Sequence, residues 1–262
     1  MGALFTATYR RLLILGLALA LAAPAFAEPV PVKRRQEPMH RAFVLRSADG
    51  KVLATAEETA AAQGGRVHSR MTFRFRDGSL DDEEAVFTQG KAFHLISDHH
   101  IQKGPSFPTP LDAMIDVPSG TLTWHEQKGG RDTIRTEHLR LPDDLANGIM
   151  PLLAENFPPG SAAMKVSWVA IDIRPLLVTL SVTPAGTETV DPDGVSEKAS
   201  EYTIHPELPS MLSLLARVVD RQPADIHIWV TDEAQPSFVR LVGPFYAPGP
   251  LWTVEPTGPA EH

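Results

Sequence analysis

The segment 67–76 constrains the fold of this chain more than any other stretch. Its sequence, VHSRMTFRFR, alternates apolar and polar side chains, so that Val67, Met71 and Phe73 share one side of an extended strand. A period of two residues is typical of a β-strand with one buried face. The turn-forming residues Asp77-Gly78-Ser79 then interrupt the pattern. We therefore predict a β-hairpin between this strand and the segment 80–89.

The length of the hairpin loop determines which residues face each other. A three-residue loop formed by 77–79 places Arg74 opposite Asp82 and Met71 opposite Ala85. Opposite charges and apolar groups then meet across the ladder, which stabilises a pair of strands. A two-residue loop instead places Met71 opposite Glu84. We prefer the longer loop for that reason.

Further strands follow at similar intervals, separated by glycine turns and proline-rich bends. The Ala-rich segment 51–62 also fits a helix. We predict a strand there because the neighbouring strands need a strand to pair with. The predicted strands are 41–46, 51–62, 66–76, 80–89, 91–101, 113–117, 121–127, 133–139, 166–173, 176–182, 201–205, 225–230, 238–242 and 251–255.

Two helices interrupt the strands. Pro142 occupies a first helical position ahead of Leu145 and Leu153. Pro209 opens a second helix, whose apolar stripe is wide enough to need a surface to cover. This stripe consists of Met211, Leu212, Leu214, Leu215, Val218 and Val219. Strands and helices do not alternate along the chain as they do in βαβ units. The sequence therefore predicts a mainly β fold: a curved antiparallel sheet, or half-open β-barrel, with two short covering helices.

The N-terminal residues 1–27 have the features of a signal peptide. Arg10 and Arg11 precede an apolar run, and Ala25-Phe26-Ala27 fits a cleavage pattern. We expect cleavage after Ala27 and a periplasmic or secreted protein that is not an integral membrane protein after cleavage. Residues 28–40 are expected to form a flexible leader, 41–256 a single β-rich half-barrel domain, and 257–262 a disordered tail.

Composition excludes several classes of function. The chain carries a formal net charge of -8 and has no cysteine. A negative protein repels phosphate backbones, so we expect no nucleic-acid partner. The absence of cysteine excludes disulfides, thiolate metal sites and a cysteine nucleophile. The sequence indicates no cofactor.

Three segments carry a resemblance to known proteins: FRFRDGSLDDEEAVF with HLISDHHIQKGPSFP, then LPDDLANG, then DIHIWVTDEAQPSFVRLVGP. They resemble a family of exported bacterial proteins that has no assigned function. In layout the chain is also similar, more distantly, to periplasmic half-barrel proteins such as the lipoprotein carriers of the Lol system. That second resemblance implies a cavity for acyl chains under a lid. The missing cysteine means that only a soluble carrier would correspond.

The densest group of potential metal ligands is His94, Asp98, His99 and His100. In a regular strand His94, Asp98 and His100 share one face, and their side chains are of types that bind zinc or iron. Same-face neighbours lie about 7 Å apart, so His94 and His100 cannot share an ion unless the strand bulges. Asp98 and His100 with a ligand from another strand remain an option. The alternative is a set of histidines on a solvated strand face.

Large apolar side chains could line a ligand cavity or fill a core. The candidates for ligand binding are Phe73, Phe87, Phe93, Trp168, Trp229 and Leu215. No Gly-x-Ser-x-Gly nucleophile elbow is present. We therefore expect a binding or carrier protein for an apolar or amphipathic envelope molecule, such as a lipid-like ligand. The alternatives are a metal-dependent hydrolase that uses the Asp98/His100 region and a structural interaction scaffold.

Overall fold

A computed structural model describes residues 27–128, 131–157, 162–171, 175–190, 196–207 and 223–257. These residues form fourteen β-strands and one short helix, α1, which spans Met150–Glu155 between the eighth and ninth strands. The strands are β1 Met39–Ser47, β2 Val52–Gln63, β3 Arg66–Phe75, β4 Leu80–Gln89, β5 Phe93–Lys103, β6 Leu111–Asp116, β7 Thr121–Lys128, β8 Arg131–His138, β9 Met164–Ile171, β10 Pro175–Val190, β11 Glu197–Glu207, β12 Ile226–Thr231, β13 Phe238–Gly243 and β14 Trp252–Pro256. The prediction of a mainly β chain is confirmed.

All fourteen strands belong to one antiparallel sheet, in the order β8-β7-β6-β5-β4-β3-β2-β1-β14-β13-β12-β11-β10-β9. Each strand pairs with its neighbours in sequence, except that β8 and β9 are the two edges of the sheet, and β1 additionally pairs with β14. The chain therefore starts in the middle of the sheet and runs outward to the edge at β8. After α1 it resumes at the opposite edge, β9, and returns to the middle.

Two adjacent residues in the inner segment 144–149 show that this sheet curls. Asn147 exchanges two hydrogen bonds with the backbone of Val169 in β9, at 2.9 and 3.0 Å. Gly148 lies against β5, because a Cβ atom added there would be 2.6 Å from Oδ1 of Asp98. Strands β5 and β9 are ten steps apart in the strand order, which is about 48 Å in a flat sheet. The sheet must therefore wrap around the inner segment.

The curled sheet is open between its two edge strands. Among the described residues no ladder joins β8 to β9. Instead, the inner segment extends the β9 edge: Ala146 N donates to Ser167 O at 2.9 Å and Ser167 N donates to Asp144 O at 3.3 Å. These backbone bonds satisfy groups that an edge strand leaves unpaired. We call the sheet face turned toward the inner segment the concave face.

The prediction of two covering helices needs correction. The first helix was expected to start at Pro142, but Leu145 forms an isolated parallel bridge with Ser167 of β9, and Gly148 turns the chain with φ of +67°. Helix α1 has only six residues and begins next to Pro151, which suits a first helical turn. Its buried residues, Met150, Leu152, Leu153 and Ala154, lie in the core rather than on a cover. The second predicted helix lies outside the described residues.

The predicted register of the central hairpin is wrong by two positions. Met71 faces Glu83, and Arg74 faces Leu80. The loop consists of residues 76–78, because Phe75 N donates to Ser79 O at 3.0 Å. A shift of two positions leaves each side chain of β4 on the same face and changes only the residues that it opposes. Asp81 and Glu83 therefore face the concave side, where His100 and Gln102 of β5 contact Asp81. Apolar complementarity alone therefore did not determine the pairing.

The expected leader and tail both contact the sheet where they are described. Val30 is buried, and Phe93 N donates to its carbonyl oxygen at 3.0 Å. Thr257 N donates to Ala42 O at 2.8 Å. The expected signal peptide up to residue 26, and the tail from residue 258, lie outside the described residues. Within the described part of the chain, no helix is long and apolar enough to cross a membrane.

Candidate ligand site on the concave face

Strands β4 and β5 place five polar side chains together on the concave face. Glu83 faces His100 across the ladder, Asp81 faces Gln102, and Asp98 lies one pair further along, opposite Ala85. We call Asp81, Glu83, Asp98, His100 and Gln102 the acid–histidine cluster. Asp81, Asp98 and Gln102 are buried. A buried polar group is costly unless it is hydrogen-bonded, so the partners of each member matter.

A β-bulge in β5 creates this arrangement. Phe87 pairs with Leu95 while Val86 pairs with Ser97, so Ile96 is an extra residue. The extra residue reverses the alternation of side chains along the strand. As a result Leu95, before the bulge, and Asp98, after it, both face the interior.

The bulge also separates the four predicted metal ligands. His94 is exposed, with Nδ1 3.2 Å from the carbonyl oxygen of Asp143. His99 lies on the face opposite to His100 and bonds Asp112 at 2.9 Å. Of the four, only Asp98 and His100 share the interior. Within the described residues, no three His, Asp or Glu side chains are arranged to hold a metal ion.

The imidazole of His100 lies between two carboxylates. Its Nε2 is 3.0 Å from Oδ1 of Asp81, and its Nδ1 is 3.9 Å from Oε1 of Glu83. Gln102 fixes the first carboxylate by donating from Nε2 to Oδ2 of Asp81 at 2.7 Å. Burial by itself lowers the pKa of His100, but the carboxylates of Glu83 and Asp81 outweigh it and raise the pKa to about 10. His100 is therefore a cation at neutral pH.

Asp98 is the least satisfied member of the cluster. It is 3% exposed, and its Oδ1 has no hydrogen-bond partner among the described residues. Burial, with a contribution from the nearby Glu83 carboxylate, raises the pKa of Asp98 well above its usual value. The pKa of Glu83 is raised as well, chiefly by burial.

A second charged group lies on the same face, on β1, β2 and α1. Nη2 of Arg41 is 2.9 Å from Oε2 of Glu58, and its Nη1 is 2.9 Å from Oε1 of Glu155. Glu155 also accepts a hydrogen bond from Phe238 N at 3.0 Å. Burial raises the pKa of Glu58 even though Arg41 lies beside it. This arginine links the helix to the middle of the sheet.

The two groups form one row across the sheet. Glu58 faces Met71, Met71 faces Glu83, and Glu83 faces His100. We call the acid–histidine cluster together with Arg41, Glu58, Glu155 and Met71 the acid-rich row. It contains five carboxylates but only two cationic side chains. Its ionised form would carry excess negative charge.

Sequence reasoning missed most of this row. Only Asp98 and His100 were among the candidates, and Asp81, Glu83 and Gln102 were not. The sequence of β2 held one signal for an acid on the inner face. Ala54, Ala56 and Ala60 occupy alternate positions that face the core, and Glu58 occupies the position between Ala56 and Ala60 in that series. The acids of β4 gave no such signal, since their run fits either face.

The predicted aromatic lining is divided between core and surface. Phe73, Phe87 and Phe93 are buried in the core, and Phe73 packs edge-on against Phe245 with ring centroids 5.0 Å apart. Trp168 is half-buried on β9. The remaining candidate on the helical stripe, Leu215, lies outside the described residues.

Trp229 lies on the outer face of the sheet, away from the other aromatics. The guanidinium of Arg240 covers its ring at 4.3 Å and also contacts Glu188. These three residues line a shallow depression of ≈ 410 Å³. A second shallow depression, of ≈ 470 Å³, lies on the outer face of β5, β6 and β7, next to Met114 and Thr123.

Comparisons with known proteins carry no argument about the function of this chain. No family model matches the chain, and no curated protein matches it. A solved structure that resembles it is a β-barrel-like protein of the domain of unknown function DUF1849 from Brucella abortus. The alignment has a TM-score of 0.48 and 10% sequence identity, and it covers 87% of this chain and 99% of that chain. The architecture described here, an open antiparallel sheet curled around an inner segment, rests on strand pairing and contacts.

Proposed function

We propose that this chain is a binding or carrier protein that holds an apolar or amphipathic molecule on its concave face. The supporting observation is that part of the acid-rich row is accessible although it faces inward. The side chains of Glu83 and His100 are each 23% exposed, and Met71 between Glu58 and Glu83 is half-buried. Interior side chains that keep some accessible surface suit a site that a ligand covers.

The hydrolase alternative has less physical support. His100 is the histidine in the cluster, and with a pKa of about 10 it is already protonated at neutral pH. A protonated imidazole cannot accept a proton from water, which is what a general base must do. Burial raises the pKa values of Glu83 and Asp98. The cluster suits recognition of charge better than proton abstraction.

We further propose that the protein is exported before it binds its ligand. The support is the sequence pattern of residues 1–27, with two arginines, an apolar run and a cleavage pattern that ends at Ala27. An exported binding protein would meet amphipathic molecules of the cell envelope. A protein that serves only as a scaffold is the competing proposal, and it needs no accessible concave face.

A titration with an apolar fluorescent probe tests the proposal. Delipidated, folded protein should bind the probe saturably with one-to-one stoichiometry. Met71→Trp, which adds bulk inside the row, should weaken binding at least about tenfold. His68→Trp is the matched control, because His68 is exposed on the other face of the same strand, and it should bind normally. Absence of saturable binding to folded protein would leave the scaffold.

A further inference from the structure

We propose that two copies of this chain associate through β8, which pairs antiparallel with β8 of the second copy and joins the two sheets. Strand β8 is an edge of the sheet: it pairs with β7 on one side, and the described residues place no strand on its other side, which we call the open edge. An edge strand presents backbone donors and acceptors that another strand can use, and proteins usually cover or blunt such an edge. The opposite edge, β9, receives backbone bonds from the inner segment.

The half of β8 that follows the turn extends past the rest of the sheet. The ladder between β6 and β7 ends at the pair Ala113 and Trp124, whereas β7 and β8 pair as far as Lys128 and Arg131. Beyond Trp124 the described strands therefore form a two-stranded ribbon. Two strands alone are marginally stable in water, and further strands stabilise them. Pairing with a second copy through β8 turns the ribbon into four strands.

The alternation of hydrogen bonds along β8 identifies the backbone groups that point to the open edge. Leu139 N donates to Gly120 O at 2.8 Å, in the pair that continues the ladder between β7 and β8. Because the bonding direction alternates from one residue to the next in an antiparallel strand, the odd-numbered residues of β8 bond β7. The backbone groups of Asp132, Ile134 and Thr136 therefore point to the open edge. A second strand must pair with these residues.

Ile134 supplies an apolar side chain at the centre of the open edge. It is 63% exposed, more than any other large apolar side chain among the described residues. Its neighbour Arg135 faces Trp124, which belongs to the cross-strand row that contains His100 on the concave face. Successive side chains of a strand point to opposite faces, so Ile134 lies on the outer face. The proposed interface is therefore separate from the proposed ligand site.

The sequence of β8 is complementary to itself in one antiparallel register. Two registers pair almost the whole strand through the backbone groups at the open edge: one places Ile134 opposite itself, and the other places Arg135 opposite itself. The second register brings like charges directly opposite each other, which is destabilising. The first brings the two isoleucines together and places Glu137 opposite Arg131 of the second copy, so opposite charges meet at both ends of the ladder. A strand that complements its own copy suits a two-fold symmetric dimer.

Sedimentation velocity of the purified protein tests for the dimer. We expect a shift from monomer to dimer between about 1 and about 100 µM. Ile134→Lys places like charges opposite each other at the centre of the ladder, and it should raise the dissociation constant at least about tenfold. Leu251→Lys is the matched control, because Leu251 is 45% exposed and lies outside β8, and it should dimerise normally. Monomer throughout this range, or equal weakening by both variants, would overturn the proposal.

Single-cysteine variants test the register, because the chain has no cysteine of its own. Residues of a hydrogen-bonded antiparallel pair have α-carbons about 5.5 Å apart, which is within the range of a disulfide. Ile134→Cys should therefore give a disulfide-linked dimer under mild oxidation, seen on a non-reducing gel. Thr136→Cys is the control on the same face, since its two copies would lie about 14 Å apart, and it should stay unlinked. No link through Ile134→Cys, or equal linking of both variants, would overturn the proposal.

Discussion

Asp98 and Gly148 are in contact across the interior of the curled sheet, with Oδ1 of the aspartate against the α-carbon of the glycine. A Cβ atom at position 148 would lie 2.6 Å from that oxygen and 2.8 Å from Cβ of Ala85. The inner segment therefore fits against β4 and β5 only because this residue has no side chain. The same contact covers the unpartnered carboxylate of the acid–histidine cluster.

Gly148→Ala should destabilise the protein by about 2 to 4 kcal/mol, because it combines a left-handed backbone with a clash in the core. Denaturant unfolding measures the loss. Gly50→Ala is the matched control: its φ is +82°, but nothing lies within 4 Å of the added Cβ atom. The control should cost about 1 kcal/mol. Equal losses for the two variants would contradict the contact.

His100 should make stability depend on pH above neutrality. The pKa of a histidine is ordinarily 6.5, and the fold raises that of His100 to about 10, so the folded state binds the proton more tightly. The resulting stabilisation is fully present below pH 6.5 and is lost as pH rises toward about 10. We expect the free energy of unfolding to fall by about 2 to 4 kcal/mol over this window.

Two histidine variants test this pH dependence through denaturant unfolding at several pH values. His100→Gln should flatten the fall in stability, because glutamine does not titrate. His99→Gln should keep it, since that side chain lies on the outer face beside Asp112. A fall that persists in the His100 variant would show that another group causes it.

The faces of β3 can be checked with neighbouring substitutions. Phe73 is 6% exposed and packs in the core, so Phe73→Ala should cost about 3 to 5 kcal/mol. Arg74 is exposed, so Arg74→Ala should change stability by no more than about 1 kcal/mol. Denaturant melts of both variants provide the comparison, and similar losses would mean that the strand faces are misassigned.

Export should leave a protein that begins at Glu28. The pattern Ala25-Phe26-Ala27 supplies the cleavage site after the apolar run. N-terminal sequencing of material recovered from the envelope measures the start directly. Intact Met1 on membrane-bound protein would contradict cleavage.

Much of the strand pattern was predictable from the sequence. Alternation identified β3, and the Ala-rich segment that also fitted a helix is indeed the strand β2. Pairing of β1 with β14 had no local signal, because the two strands meet from opposite ends of the described chain. The inner segment was misjudged as helix because its apolar residues suit either state, and only its backbone bonds to β9 decide between them.

The candidate site was harder to predict than the fold. The register of the β3–β4 hairpin was argued from opposite charges and apolar groups that meet across the ladder, but Met71 faces Glu83 and Arg74 faces Leu80. The bulge at Ile96 then changed which side chains of β5 share a face. A bulge leaves little trace in a pattern of alternation, so one extra residue was enough to move His94 away from Asp98.

Native mass spectrometry of the protein purified from its own envelope tests the central claim most directly. The account predicts a one-to-one complex with an apolar or amphipathic molecule, and loss of that complex in Met71→Trp but not in His68→Trp. A spectrum that contains only the free protein, with no complex formed when the apolar fluorescent probe is added to the folded chain, would contradict a ligand site on the concave face.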